Sequence, residues 1–160
     1  MRFSLIASAA LIGVAATGCM TMKPKAEAYS ATLEHVVDRD IVLYSLLPHA
    51  HLRGRAAKFT AIYPDGRKEI LLSVPKYDFN WQTTYALNPP KPIPAGTHIV
   101  LDMTWDNSAQ NPANPDPNRV VHWGEQTWDE MNVGWVRYRY AEEDEPQPTA
   151  RDAGAESSSR

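Results

Sequence analysis

Ile41-Val42-Leu43-Tyr44-Ser45-Leu46-Leu47-Pro48-His49-Ala50-His51-Leu52-Arg53-Gly54 is the stretch on which the reading of this chain turns. Its first half is rich in β-branched and apolar residues, the pattern of a short strand. Successive side chains on a strand point to opposite faces, so His49 and His51 share one face. Two imidazoles side by side on a rigid strand make half of a metal site. The same H-x-H pair also describes two ordinary polar residues at a strand end, so the rest of the chain has to decide.

Outward from this stretch the signals are those of strands. Residues 32–37 form one, separated from the apolar run at 41–47 by Asp38-Arg39-Asp40. Residues 58–63 alternate, with Phe59, Ala61 and Tyr63 on one face. Pro64-Asp65-Gly66-Arg67 then turns the chain, and residues 68–74 return as the second arm of a hairpin. Residues 80–87 read as an aromatic-rich strand and 88–94 as a proline-rich crossing. Residues 98–105 alternate through Ile99, Leu101 and Met103, and residues 133–140 through Trp135 and Tyr138. Short strands at close spacing, with no amphipathic helix of useful length, predict an all-β fold. The expected architecture is an antiparallel jelly-roll-like β-sandwich over residues 32–140. Thirteen prolines against eight glycines, with five tryptophans, agree with a strand-and-turn protein.

The 160 residues suffice for one domain and hardly for two. A net charge of −3 without a basic block leaves no electrostatic footprint for nucleic acid. With Cys19 as the one cysteine, no internal disulfide forms and no thiolate cluster holds zinc or iron–sulfur.

The two ends read differently from the middle. Arg2 precedes an apolar segment, residues 3–16, of about the length of a signal-peptide core. It is short for a membrane span, which takes roughly 20 residues. Ala16-Thr17-Gly18-Cys19 resembles the lipobox of bacterial lipoproteins, although Ala16 stands where leucine is usual. Residues 1–18 are thus expected to be a lipoprotein signal peptide, with Cys19 acylated and the protein anchored to the membrane by lipid. Met20 follows the cysteine where an aspartate would favour retention in the inner membrane. The expected location is therefore the bacterial envelope, at the periplasmic face of the outer membrane. Residues 19–31 read as a tether, and residues 141–160, opening on Glu142-Glu143-Asp144-Glu145, as a disordered acidic tail.

Two later stretches carry chemistry. Residues 106–119 are a long loop of Asn, Asp and Pro without strand pattern. Its oxygens are of the kind that hold calcium, but EF-hand spacing is missing, and a turn held by Asn and Asp side chains is expected. Val121-His122-Trp123-Gly124-Glu125-Gln126-Thr127-Trp128-Asp129-Glu130-Met131 then leads into the last strand. Methionine ordinarily fills gaps in a core. A thioether also completes a soft site with two imidazoles, and that donor set favours copper over zinc or magnesium.

Pro48-His49-Ala50-His51-Leu52-Arg53-Gly54, followed about eighty residues later by Asp129-Glu130-Met131, resembles the C-terminal domain of copper type II, ascorbate-dependent monooxygenases. That family includes peptidylglycine α-hydroxylating monooxygenase and dopamine β-monooxygenase. Tyr77-Asp78-Phe79-Asn80-Trp81-Gln82 and Gln126-Thr127-Trp128-Asp129-Glu130-Met131 look like its bacterial branch. The resemblance implies a jelly-roll sandwich and one mononuclear type II copper site, where dioxygen is activated. It also implies His49, His51 and Met131 as ligands and an ascorbate-like reductant. His122 is a candidate partner of the ligands, and Trp128 and Trp135 are candidates to wall an apolar pocket.

The chain also departs from the family. Its enzymes carry a preceding domain with a second, electron-storing copper, and only a tether is expected here before the first strand. His35, His98 and His122 stand singly. Members acting on peptides hold a substrate carboxylate with Arg two residues before the first His, and with Asn and Tyr after the Met. Leu47, Val133 and Trp135 occupy those offsets here, so peptidylglycine is not the expected substrate. Two functions remain in view. One is the dioxygen-activating half of a monooxygenase, acting on a small molecule with a partner protein supplying electrons. The other is a non-enzymatic copper protein for storage, sensing or delivery.

Overall fold

The computed structural model describes residues 10–15 and 20–144. Among them the alternating and apolar runs become strands β1 (Ala10–Ala15), β2 (Thr21–Met22), β3 (Tyr29–Val36), β4 (Ile41–His49) and β5 (Gly54–Ile62). These are followed by β6 (Lys68–Val74), β7 (Tyr85–Ile93), β8 (His98–Trp105), β9 (Val121–His122) and β10 (Val133–Tyr140). A 3-10 turn at Ala141–Asp144 closes the described chain. No helix among the described residues is long and apolar enough to cross a membrane.

The strands pair antiparallel into two four-stranded sheets, ordered β1-β10-β4-β7 and β3-β8-β5-β6, with β2-β9 as a short ladder beside them. This is the expected all-β sandwich. Leu43, Leu46, Phe59, Leu101, Met103 and Trp105 lie buried in its core. A Cβ on Gly134 would fall 2.9 Å from Leu101 and 3.1 Å from Phe59, so glycine lets β10 lie close against the facing sheet. Gly134 therefore points inward, as do Val136 and their partners on β4, Pro48 and Leu46. By alternation Leu47 and His49, with their partners Trp135 and Val133, lie on the face turned away from the core. The register of one strand pair thus decides which way the first histidine looks.

Residues 19–31, read as a tether, are part of the sandwich from Met20 onward. Met20 and Met22 are buried in the core, β2 pairs with β9, and β3 begins at Tyr29 rather than at 32. Each buried Met side chain contributes roughly 1.5–3 kcal/mol, enough to hold a segment whose other residues are polar. The aromatic strand and proline-rich crossing are also redrawn, because β7 is Tyr85–Ile93 and carries the prolines itself. It lies at a sheet edge, where a missing N–H on the open side costs nothing. This frees residues 75–84 as a loop. Finally, Ala10–Ala15, within the segment read as a signal peptide, lies antiparallel along β10. Cys19 and the tail beyond Asp144 lie outside the described residues.

Candidate metal centre

β4 ends at His49, and the chain passes through Ala50 and His51 into a turn in which Gly54 N–H bonds the His51 carbonyl at 3.1 Å. The two imidazoles meet edge to face with centroids 5.2 Å apart. His49 is half-buried on the outer face of its sheet, and His51 is buried. Burial, and then the neighbouring His49, hold the His51 imidazole below its ordinary pKa. Its neutral form, the one that can bind a metal, is favoured.

Two loops hold this pair from opposite sides. The first is Tyr77 to Gln82. The Tyr77 hydroxyl donates to the Ala50 carbonyl at 2.7 Å and accepts the Ala50 N–H at 3.1 Å, fixing the residue between the histidines. Burial pushes the Tyr77 phenol up to about 12, so it stays a donor. Phe79 meets the His51 ring edge to face, with centroids 6.1 Å apart. Gln82 Oε1 lies 2.5 Å from His49 Nδ1. The glycine of H-x-H-x-x-G has its reason here: a Cβ on Gly54 would sit 2.8 Å from the Tyr77 ring and 2.9 Å from the Ala50 Cβ.

The second loop runs from Gly124 to Met131. Glu130 is fully buried, and its carboxylate accepts three N–H groups. These are His51 N–H at 2.8 Å, Arg53 N–H at 2.6 Å and the Trp105 indole at 3.0 Å. Burial nevertheless raises its pKa to about 7. The Asp129 carbonyl faces His51 Nδ1 at 3.4 Å, while the Asp129 carboxylate accepts from Arg119 at 2.9 Å. Gly124 is required because a Cβ there would meet Asp129 Oδ2 at 2.5 Å. Met131, half-buried, directly follows the two residues that grip His51. Met131 and His51 each lie two residues beyond the last β4–β10 pair, Val133 and His49. The three expected donors thus come from two neighbouring chain segments at one end of one sheet.

Among the described residues no three His, Cys, Asp or Glu side chains gather in a way that could hold a metal ion. A centre at His49 and His51 therefore needs a donor of another kind, and the Met131 thioether is one. Two imidazoles and a thioether fit copper(I).

The family described as copper type II ascorbate-dependent monooxygenase, C-terminal domain, matches residues 6–151. The chain belongs to that family. No curated protein matches it. One solved structure, titled as that of infectious bursal disease virus Gt strain, aligns at 11% identity with a TM-score of 0.29. That alignment covers 82% of this chain and 38% of the viral one, a likeness too slight to bear on function.

Within this copper monooxygenase domain the remaining candidates fall in different places. The His122 side chain is exposed and reaches Thr21 Oγ1 at 3.5 Å, whereas its carbonyl accepts the Glu130 N–H at 3.1 Å. His122 thus touches the centre's support through its backbone. Trp128 is 48% exposed, and its carbonyl accepts from Arg53 at 2.8 Å. Trp135 lies opposite Leu47 on the outer face of the sheet, two pairs along from His49. The 106–119 loop is folded by its own side chains. Asn107 bonds the Lys23 and Arg119 carbonyls, and Asn111 the Asp106 carbonyl. Asn114 reaches Asn107 and the Ser108 carbonyl. Fully buried Arg53 ties this loop to the centre, donating to Asn107 Oδ1 at 2.8 Å as well as to the Trp128 carbonyl.

Glu130, Tyr77, Gln82 and Arg53 lie inside the quoted motifs, yet sequence reasoning gave them no roles. The usable signal was in two places: a carboxylate directly before the methionine, and a polar Gln ending an otherwise aromatic loop.

Proposed function

We propose that this protein is an exported, lipid-anchored copper domain that provides the dioxygen-activating half of a monooxygenase acting on a small substrate. The observation that carries the reading is the histidine pair. The Nδ1 of each faces an oxygen, Gln82 Oε1 for His49 and the Asp129 carbonyl for His51, so that with the proton on Nδ1 the Nε2 atoms would be the metal donors. Bound copper(I) would supply the one-electron chemistry with dioxygen that the protein's own groups lack.

The net reaction inserts one oxygen atom into a C–H bond and releases the other as water. It takes up two electrons and two protons, the electrons coming from an ascorbate-like reductant or from a partner protein carrying a second copper. His49, His51 and Met131 would hold the metal. Leu47 and Trp135, side by side on the outer face, offer an apolar wall without a cation. A cleft of about 280 Å³ opens nearby, lined by Pro48, Tyr77, Trp81, Gln82 and Tyr85 among others, and it shares Gln82 with the His49 hydrogen bond. Its lining combines aromatic rings with Lys76, Asp78 and Thr83, which suits a small molecule with both apolar and polar parts.

The apolar N-terminal segment and the lipobox-like residues before Cys19 support the export part of this reading. Processing there would remove β1 and open the free edge of β10.

The test is an anaerobic copper(I) competition titration of the wild-type chain against a His49→Ala/His51→Ala variant. Oxygen uptake with ascorbate and candidate substrates follows. Tight one-to-one binding lost in the variant supports the centre, and substrate-dependent oxygen uptake supports the monooxygenase. No specific binding by the folded wild type overturns the copper reading. Binding without oxygen uptake under any reductant or partner leaves a storage or delivery protein.

A further inference from the structure

Gln82 is joined to two groups at once. Its Nε2 donates to the Phe79 carbonyl at 3.0 Å, and its Oε1 faces His49 Nδ1. A primary amide has one donor end and one acceptor end. The Phe79 carbonyl can only accept, so it claims the NH₂ group and turns the amide oxygen toward the histidine. An oxygen facing Nδ1 requires the ring proton to sit there. The carbonyl of Phe79 thus dictates, through Gln82, which nitrogen of His49 keeps its lone pair.

From this relay we infer that Gln82 is a positioning residue, locking the neutral His49 ring as the Nδ1–H tautomer so that Nε2 is the metal donor. The inference rests on the copper reading of His49. Its logic is that of any metal-binding histidine, whose second nitrogen must be occupied for the first to point correctly. This protein assigns the task to a side-chain amide from the loop after β6 rather than to a carbonyl of the site's own loop. His51 supplies the contrast within the same molecule, since its Nδ1 faces a backbone carbonyl, that of Asp129. No substitution can delete that carbonyl, whereas one substitution removes the acceptor on His49. Both the strap's own fold and its reach matter. The Asp78 carboxylate bonds the Asn80 N–H at 2.8 Å, and the Trp81 N–H bonds the Asp78 carbonyl at 3.0 Å, so the turn that carries Gln82 is itself hydrogen-bonded.

The test compares the full wild-type chain with Gln82→Leu and Gln82→Glu, metal-free, by imidazole ¹⁵N correlation spectra at about pH 8, above the ordinary imidazole range. Resonances of His49 are assigned by their loss in His49→Ala. In the wild type His49 should show a protonated Nδ1 and an unprotonated Nε2. Gln82→Leu should lose that pattern, Gln82→Glu should keep it, and His51 should be unchanged in both, which also reports that the fold is intact. Copper(I) affinity, measured in parallel, should fall about tenfold in Gln82→Leu and recover in Gln82→Glu. An unprotonated Nδ1 in the wild type overturns the inference, as does an unchanged tautomer in Gln82→Leu. A changed tautomer with unchanged copper affinity overturns the positioning role. A wild type that binds no copper overturns the copper reading, while the tautomer result is read without metal and stands by itself.

Discussion

The carboxylate of Glu130 accepts the backbone N–H of His51 at 2.8 Å, so the residue before the expected thioether donor holds the second imidazole donor in place. The same carboxylate takes Arg53 N–H and the Trp105 indole, which closes the loop after β4 onto the segment before β10. Three N–H donors suit a charged carboxylate, but complete burial outweighs them and raises its pKa from an ordinary 4.5 to about 7.

A pH dependence of stability follows. Below about pH 4.5 Glu130 is protonated in both folded and unfolded chains. Between 4.5 and about 7 the unfolded chain ionises this group while the folded one resists, so its contribution to stability is lost as pH rises through that window. The loss is on the order of 3 kcal/mol. His51, whose pKa is depressed, acts in the opposite sense, its contribution being lost as pH falls below the ordinary imidazole value. Glu130→Gln removes the first effect and leaves the second. Urea denaturation of both proteins at pH 4.5, 6 and 7.5 should show the variant gaining on the wild type as pH rises. Parallel curves would refute the assignment.

Tyr77 and Gly54 form a second fastening whose parts can be broken separately. Tyr77→Phe keeps the ring but leaves the N–H and carbonyl of fully buried Ala50 without the hydroxyl, at about 1–3 kcal/mol. Gly54→Ala puts a methyl 2.8 Å from that ring, and the overpacking costs about 1–3 kcal/mol. Because a methyl at Gly54 pushes on the ring that carries the hydroxyl, Gly54→Ala should already weaken the bonds to Ala50, and the double variant should be less destabilised than the sum. Thermal or urea unfolding of the three variants measures this, and strict additivity would show that the methyl leaves the hydroxyl's bonds to Ala50 in place.

The sequence disclosed the sandwich because its strands alternate, and alternation is the direct trace of a sheet with one buried face. It also marked the two histidines as neighbours, but the strand ends at His49, and the 5.2 Å approach of the rings is made by the turn that carries His51 rather than by strand alternation. It misjudged β7, where three prolines look like a crossing until the strand is seen to lie at an edge, a fact of topology invisible to local pattern. Met20 and Met22 were similarly hidden, as two methionines among polar residues give no periodic signal yet fill the core. Glu130 and Gln82 escaped for another reason. Their roles depend on contacts to residues 79 and 33 positions away, and spacing in one sequence does not encode such pairings.

Met131→Ile separates packing from ligation. Isoleucine preserves apolar bulk at a half-buried site and should cost less than about 1.5 kcal/mol, while removing the sulfur. Copper(I) affinity should fall at least tenfold, and the softness of the site should fall with it, so that discrimination against zinc weakens. Competition titrations with both metals check this. Equal copper(I) affinity in the two proteins would remove Met131 from the centre.

Arg53 reaches the centre without touching an expected donor. Its guanidinium is fully buried, and burial holds its pKa below the ordinary value. It donates to Asn107 Oδ1 and to the Trp128 carbonyl, one residue before the Asp129 carbonyl that faces His51. Lysine has no planar fork with which to span both acceptors. Arg53→Lys should therefore remove one of the two hydrogen bonds that Asn107 Oδ1 accepts, leaving that from Asn114, cost about 1–3 kcal/mol, and open residues 106–119 to cleavage. Limited proteolysis with mass mapping should find the first new cuts in that loop. Copper(I) affinity should fall together with loop protection, since Trp128 and Asp129 move as one segment. Loop cleavage with unaltered affinity would show instead that the guanidinium serves the loop alone, and that His51 is held by Glu130 without its help.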